Sequence, residues 1–140
     1  MKRTKKNNKG FSLVELIVVV LIMAIIAVAL APQVMKWVNE SRISTDIQMY
    51  DGVVSDLQTA LTDSAAWEEV KGEASIVISI DASGVTIPAT YTNLTNEYQE
   101  INPNYASTKP KVKGTSTKYE IELVNGAINR KTPPVSNEAK

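Results

Sequence analysis

The sequence predicts an α+β protein in which one long N-terminal helix, apolar over a membrane-spanning half and amphipathic over an outer half, packs against a small antiparallel β-sheet head. Three observations predict it. No polar side chain occurs from Leu16 to Ala31. Ile43, Ile47, Tyr50, Val54, Leu57 and Leu61 then recur at alternating spacings of four and three, which draws an apolar stripe along a helix. Farther on, two stretches alternate apolar with polar residues and lead into turn-forming dipeptides, the mark of half-buried strands.

The first ten residues, MKRTKKNNKG, hold five cations (Lys2, Arg3, Lys5, Lys6, Lys9) and no anion, so this basic leader is expected on the cytoplasmic side. At about 1.5 Å per residue a helix needs roughly 20 apolar positions to cross a bilayer core, and Phe11 to Ala31 supplies them. The division expected is therefore 1–10 leader, 11–32 membrane segment, and 33–140 exported head carrying the outer half of the helix, with residues 132–140 a frayed tail. A secretory signal peptide also joins a basic start to an apolar core, and Ala27, Ala29 and Ala31 mimic its cleavage site. Against that reading, Gly10-Phe-Ser-Leu-Val-Glu15 puts an acid inside the apolar segment. An unpaired carboxylate at membrane depth costs about 2.5 kcal/mol or more, so Glu15 is expected to have a cationic partner.

The helix is expected from about Phe11 to about Thr62, roughly 75 to 80 Å at helical rise. Pro32 should kink or unwind it locally and Asp51-Gly52 is a second weak point. Asp46 and Asp51 are placed beside the apolar stripe and Asp56 opposite it. A short helix from Ala65 to Lys71 follows, closed by Gly72, with Trp67 packing it onto the long helix. Glu73 to Asp81 puts Ile76, Ile78 and Ile80 on one face of a strand, and Asp81 to Gly84 turns the chain into Val85 to Pro88. Residues 89–114 are expected as a surface loop in which Leu94, Tyr98 and Ile101 suit one or two helical turns. Thr117 to Val124 alternates well, and Asn125-Gly126 predicts a tight hairpin into Ala127 to Lys131. About four strands can bury their Ile/Val face on the apolar stripe.

Composition narrows the function. The chain is formally neutral, with 15 Lys/Arg and 15 Asp/Glu, but the leader holds five of the cations, so the remainder is mildly acidic. That argues against a dedicated nucleic-acid binder. There is no cysteine, hence no disulfide, and no histidine, which excludes His-based triads and the commonest metal ligand.

The block KGFSLVELIVVVLIMAIIAVALAP, Lys9 to Pro32, resembles the N-terminus of type IV pilins and the related pseudopilins of secretion and DNA-uptake machines. It combines a short basic leader, Gly then Phe at the junction, a carboxylate four residues past Phe11 and a proline closing the apolar run. The short leader and the Phe look like the type IVa group. The resemblance implies the pilin fold, cleavage by a prepilin peptidase after Gly10, and N-methylation of Phe11. It also implies filament assembly through Phe11, Leu13, Glu15, Leu16 and Pro32, with an assembly ATPase and a platform protein as further partners. Cleavage creates an α-amine with an ordinary pKa of about 8, which methylation leaves basic. That amine can pair with Glu15 of its own chain or of a neighbour; the resemblance favours the neighbour. The lack of cysteine departs from the disulfide that many pilins carry near the C-terminus.

Other constellations carry less. Asp63, Glu68 and Glu69 are a conceivable metal or acid/base group, but neighbouring carboxylates on a small exported domain read better as solvated surface. Lys109, Lys111, Lys113 and Lys118, with Tyr105 and Tyr119, suit a solvated rim or acidic patches of adjacent subunits better than nucleic acid. Asn39-Glu40-Ser41 and Asn93-Leu94-Thr95 match the glycosylation acceptor pattern, which is common by chance. No enzyme, metal or cofactor is expected. The expectation is a homo-oligomeric filament subunit, membrane-embedded first with its N-terminus cytoplasmic and its head outside, then on the cell surface, serving adhesion, motility or DNA uptake. The rivals are a pseudopilin, against which the lack of an Asp/Asn-rich calcium loop tells, and a signal-anchored extracellular binding module or enzyme.

Overall fold

The computed structural model describes residues 10–112 and 117–134. The leader through residue 9, Lys113 and Gly114 in the expected loop, and the tail from residue 135 lie outside the described residues. The chain divides into two compact units, 1–38 and 39–140. Helix α1, Leu13–Ala60, contributes to both.

In the first unit α1 is helical throughout, with every residue exposed. The local unwinding expected at Pro32 is absent: helical backbone continues through it, as it does through Gly52. Proline removes one backbone donor, but Ala27, Ala29, Leu30 and Ala31 before it are strong helix formers, and the rungs on either side hold the turn.

The second unit builds the core. Outer α1 buries Ile43, Tyr50, Val53, Val54, Leu57 and Ala60. Helix α2, Ser64–Val70, starts at an Asp63 cap whose carboxylate accepts from the Ala65 and Ala66 N–H groups at 2.8 and 3.0 Å. The chain leaves α2 through Gly72 at φ +86°. Strands β1 (Ile76–Asp81), β2 (Gly84–Thr86), β3 (Tyr119–Val124) and β4 (Ala127–Thr132) form one antiparallel sheet in the order β2-β1-β3-β4. The register sets Ile76 opposite Leu123, Ile78 opposite Ile121 and Ile80 opposite Tyr119, so all six share the face turned to the core. The α+β expectation is met: a long helix with a four-stranded antiparallel sheet packed on its outer half.

The β3–β4 turn has Asn125 at φ 52° and Gly126 at φ 77°, both left-handed, as a tight hairpin requires. Gly126 is also needed for space. A Cβ there would lie 2.5 Å from the Trp67 ring, which leans on this turn. Trp67 thus packs its helix onto the hairpin, and stays 41% exposed.

Two expectations are corrected in this unit. The segment 89–114 is not all loop: helix α3 runs Thr92–Ile101, and a single 3₁₀ turn follows at Tyr105–Ser107. Leu94 and Tyr98, one helical turn apart, are its only buried residues. Its N-cap residue Tyr91 makes no capping bond; instead Glu69 of α2 accepts from the N–H groups of Thr92 and Leu94 at 2.9 and 3.0 Å. The cap comes from 23 residues upstream, so although Leu94, Tyr98 and Ile101 are spaced as on a helix, no local capping pattern marks where it starts.

The second correction concerns Asp46, which is fully buried rather than beside the stripe. It stands one turn before Tyr50, facing the core, while Ile47 turns half outward. Its carboxylate accepts from the Lys111 N–H at 2.5 Å, the Val112 N–H at 3.1 Å and the Tyr119 hydroxyl at 2.8 Å. Tyr119 meets Tyr50 edge-on at a centroid distance of 6.4 Å, and the Tyr50 hydroxyl donates to the Glu120 carbonyl at 2.9 Å. Asp56, expected opposite the stripe, is half-buried and accepts from Asn102 Nδ2 at 3.1 Å.

Candidate functional site

The residues singled out for processing and assembly, apart from Pro32 within the helix, sit at or just ahead of the start of α1. The Ser12 N–H donates to Glu15 Oε2 at 2.8 Å, and the Glu15 N–H donates back to Ser12 Oγ at 3.2 Å. This is a capping box, two otherwise unpaired backbone donors satisfied reciprocally. The Leu16 N–H reaches the Ser12 carbonyl at 3.2 Å, the first rung of the helix. Helical geometry begins at Leu13 and not at Phe11, because Ser12 supplies the cap. Gly10 and Phe11 stand outside the helix and exposed, Phe11 at 91%. In the uncut chain Glu15 therefore finds a backbone donor at the head of its own helix. Its acidic charge also lies where the helix dipole favours an anion.

From here the apolar surface is bare. Leu13 and Leu16 are exposed, as are Ile17, Leu21, Ile25 and every other large side chain up to Ala31. The exposed apolar surface runs on past Pro32 through Val34, Met35, Trp37 and Val38, farther than the spacing of apolar residues indicated. The helix is long and apolar enough to cross a membrane. A contiguous apolar surface of this extent marks a lipid or protein contact.

The acidic trio is dispersed by its partners. Asp63 caps α2, Glu69 caps α3, and Glu68 pairs with Lys71. Among the described residues no group of three or more carboxylates is placed to hold a metal ion. The lysine–tyrosine constellation does not form either. Tyr119 is in the core, its hydroxyl pushed well above the ordinary tyrosine range by burial first and by the Asp46 hydrogen bond second. Tyr105 packs half-buried against the core. Lys118 is paired with Glu120 at 2.9 Å, which holds that carboxyl below its usual range. Lys109 and Lys111 are exposed, and Lys113 is outside the described residues. Asn39 and Asn93, the two acceptor-pattern asparagines, both lie near or within helices, α1 and α3.

Ser12 is the capping residue at this junction that the sequence reading did not include. The pattern Ser12-x-x-Glu15 ahead of an apolar run is the signal that marks it. Asp46 and Glu69 left no such signal, since their partners lie 65 and 23 residues away.

No curated protein and no solved structure matches the chain. The family described as the prokaryotic N-terminal methylation motif matches residues 5–31. That stretch takes in the junction glycine, the exposed Phe11, the Ser12–Glu15 cap and the bare apolar half-helix, and it is the prepilin signature of type IV pilins and pseudopilins.

Proposed function

We propose that this chain is a structural subunit of a type IV pilus, made as a prepilin and polymerised through its N-terminal helix. The observation that carries the reading is the methylation motif over residues 5–31 continuing into a helix whose apolar surface is entirely unshielded. A prepilin peptidase cuts after Gly10 and methylates Phe11. The helix anchors the subunit in the cytoplasmic membrane with the head outside. On extraction, the Phe11 to Val38 surface exchanges lipid for the same surface of sister subunits, since such a helix is stable in water only when shielded. During that exchange Glu15 meets the new amine at Phe11 of a neighbour, and the pairing offsets the desolvation of both charges. An assembly ATPase and a platform protein drive the step, and the surface filament serves adhesion, motility or DNA uptake.

Mass spectrometry of fibres sheared from the cell surface tests this. Expected is a chain beginning at methylated Phe11 as an abundant component. Fibres containing the chain with its original Met1 would overturn the reading, and a correctly processed chain in cells that bear no fibre by electron microscopy would replace it with a pseudopilin.

A further inference from the structure

The capping box has a role in the processing of the chain that the methylation motif does not assign. We propose that Ser12 is a positioning residue for cleavage: its reciprocal bonds with Glu15 start the helix at Leu13 and so hold the Gly10–Phe11 bond in non-helical, accessible backbone. The proposal rests on the reading of this chain as a prepilin.

Three observations carry it. The hydroxyl and N–H of Ser12 are both engaged with Glu15, at 3.2 and 2.8 Å. The first helical rung ends on the Ser12 carbonyl. Gly10 and Phe11, on the amino side of that rung, are exposed and outside helical geometry. A peptide bond within a helix has its flanking carbonyl and N–H groups tied into the ladder, and a peptidase must unwind a turn to reach it. A bond just ahead of a cap is reached with the helix intact. The position also suits the bilayer edge, where an uncapped helix start leaves backbone donors unsatisfied in a water-poor setting. Without the Ser12 hydroxyl the start is no longer fixed at Leu13. The first turn then also samples forms in which helical backbone runs back through Phe11 toward Gly10, which ties the bond into the ladder, and the fraction of chains presenting it correctly falls. Loss of an N-cap commonly shifts such an equilibrium about fivefold.

The test compares full-length Ser12→Thr and Ser12→Val in membranes supplied with a prepilin peptidase. The two side chains have nearly the same shape, but only threonine keeps the hydroxyl. Expected is Ser12→Thr cleaved within about twofold of the parent and Ser12→Val about fivefold more slowly. Amide exchange at Glu15 of the uncut chain in detergent should accelerate in Ser12→Val by a similar factor. Equal cleavage of the two variants would overturn the proposal, as would slow cleavage of Ser12→Val with Glu15 exchange unchanged, which would mean the peptidase reads the hydroxyl directly. Failure of the parent chain to be cut after Gly10 would instead overturn the prepilin reading, so the two failures are distinguishable.

Discussion

Replacing Asp46 by alanine should loosen the head more than any other single change to a polar side chain. In the native fold its buried carboxylate accepts from Lys111 N–H, Val112 N–H and the Tyr119 hydroxyl. Hydrogen bonds to a charged acceptor contribute about 1.5–3 kcal/mol each, and the desolvation of a buried carboxylate takes back several. In Asp46→Ala the two backbone donors lie on a surface segment that can turn to water. Tyr119, held between Tyr50 and the sheet, keeps its hydroxyl in the core without an acceptor, and a small cavity opens beside it. The expected loss is about 3–4 kcal/mol, or on the order of 15 °C in Tm for a domain of this size. Urea denaturation of the protein in detergent, followed by circular dichroism, measures it. A double-mutant cycle with Tyr119→Phe should return a coupling of about 1 kcal/mol or more, since the pair is in direct contact. If Asp46→Ala lies within about 0.5 kcal/mol of the parent, the reasoning from a satisfied buried anion is wrong.

Gly126→Ala should destabilise by about 1–2 kcal/mol through its φ of 77°, and the added Cβ should displace Trp67 from the turn, read as a red shift of tryptophan emission. An unshifted spectrum would show that the ring does not lean there. Glu69→Ala should uncap α3 at a cost of about 1 kcal/mol and raise amide exchange at Thr92 and Leu94 before it does so in the sheet. Alkali should weaken the head. Burial first, then the Asp46 and Asp56 carboxylates respectively, raise the Tyr119 and Tyr98 hydroxyls above the ordinary 10.0. The unfolded chain therefore releases these protons first, and stability is full below pH 10 and falls as pH climbs above it. A denaturation midpoint that holds constant well above pH 10 would contradict this. Glu15→Ala should stay in the membrane yet enter fibres poorly, and normal piliation by that variant would remove the pairing role assigned to Glu15.

The elements that depend on short-range patterns were legible in the sequence. The apolar run, the Ile76/Ile78/Ile80 alternation and the Asn125-Gly126 hairpin are set by periods of 3.6 and 2 and by turn chemistry, and each lies where it was expected. What escaped was set at long range. Helix α3 has two buried anchors and a cap borrowed from α2, so its own residues look like a polar loop. Asp46 lies on the buried arc of α1 by its spacing, three past Ile43 and four before Tyr50, but a carboxylate is accommodated there because residues 111, 112 and 119 arrive from far along the chain to donate to it. At the N-terminus Gly10, Phe11 and Glu15 stand out as a motif, and Ser12 is legible there only through its three-residue spacing to Glu15, whose carboxylate turns to the Ser12 N–H rather than to a cation.

Because Glu69 anchors the opening turn of α3 through main-chain donors alone, the side chains of Thr92, Asn93, Asn96 and Glu100, all exposed, take no part in holding that helix down. The short helix is in effect a fixed frame with a replaceable front. Variation at those four positions can alter what the outside world meets while the fastening, supplied from a different part of the chain, stays as it was.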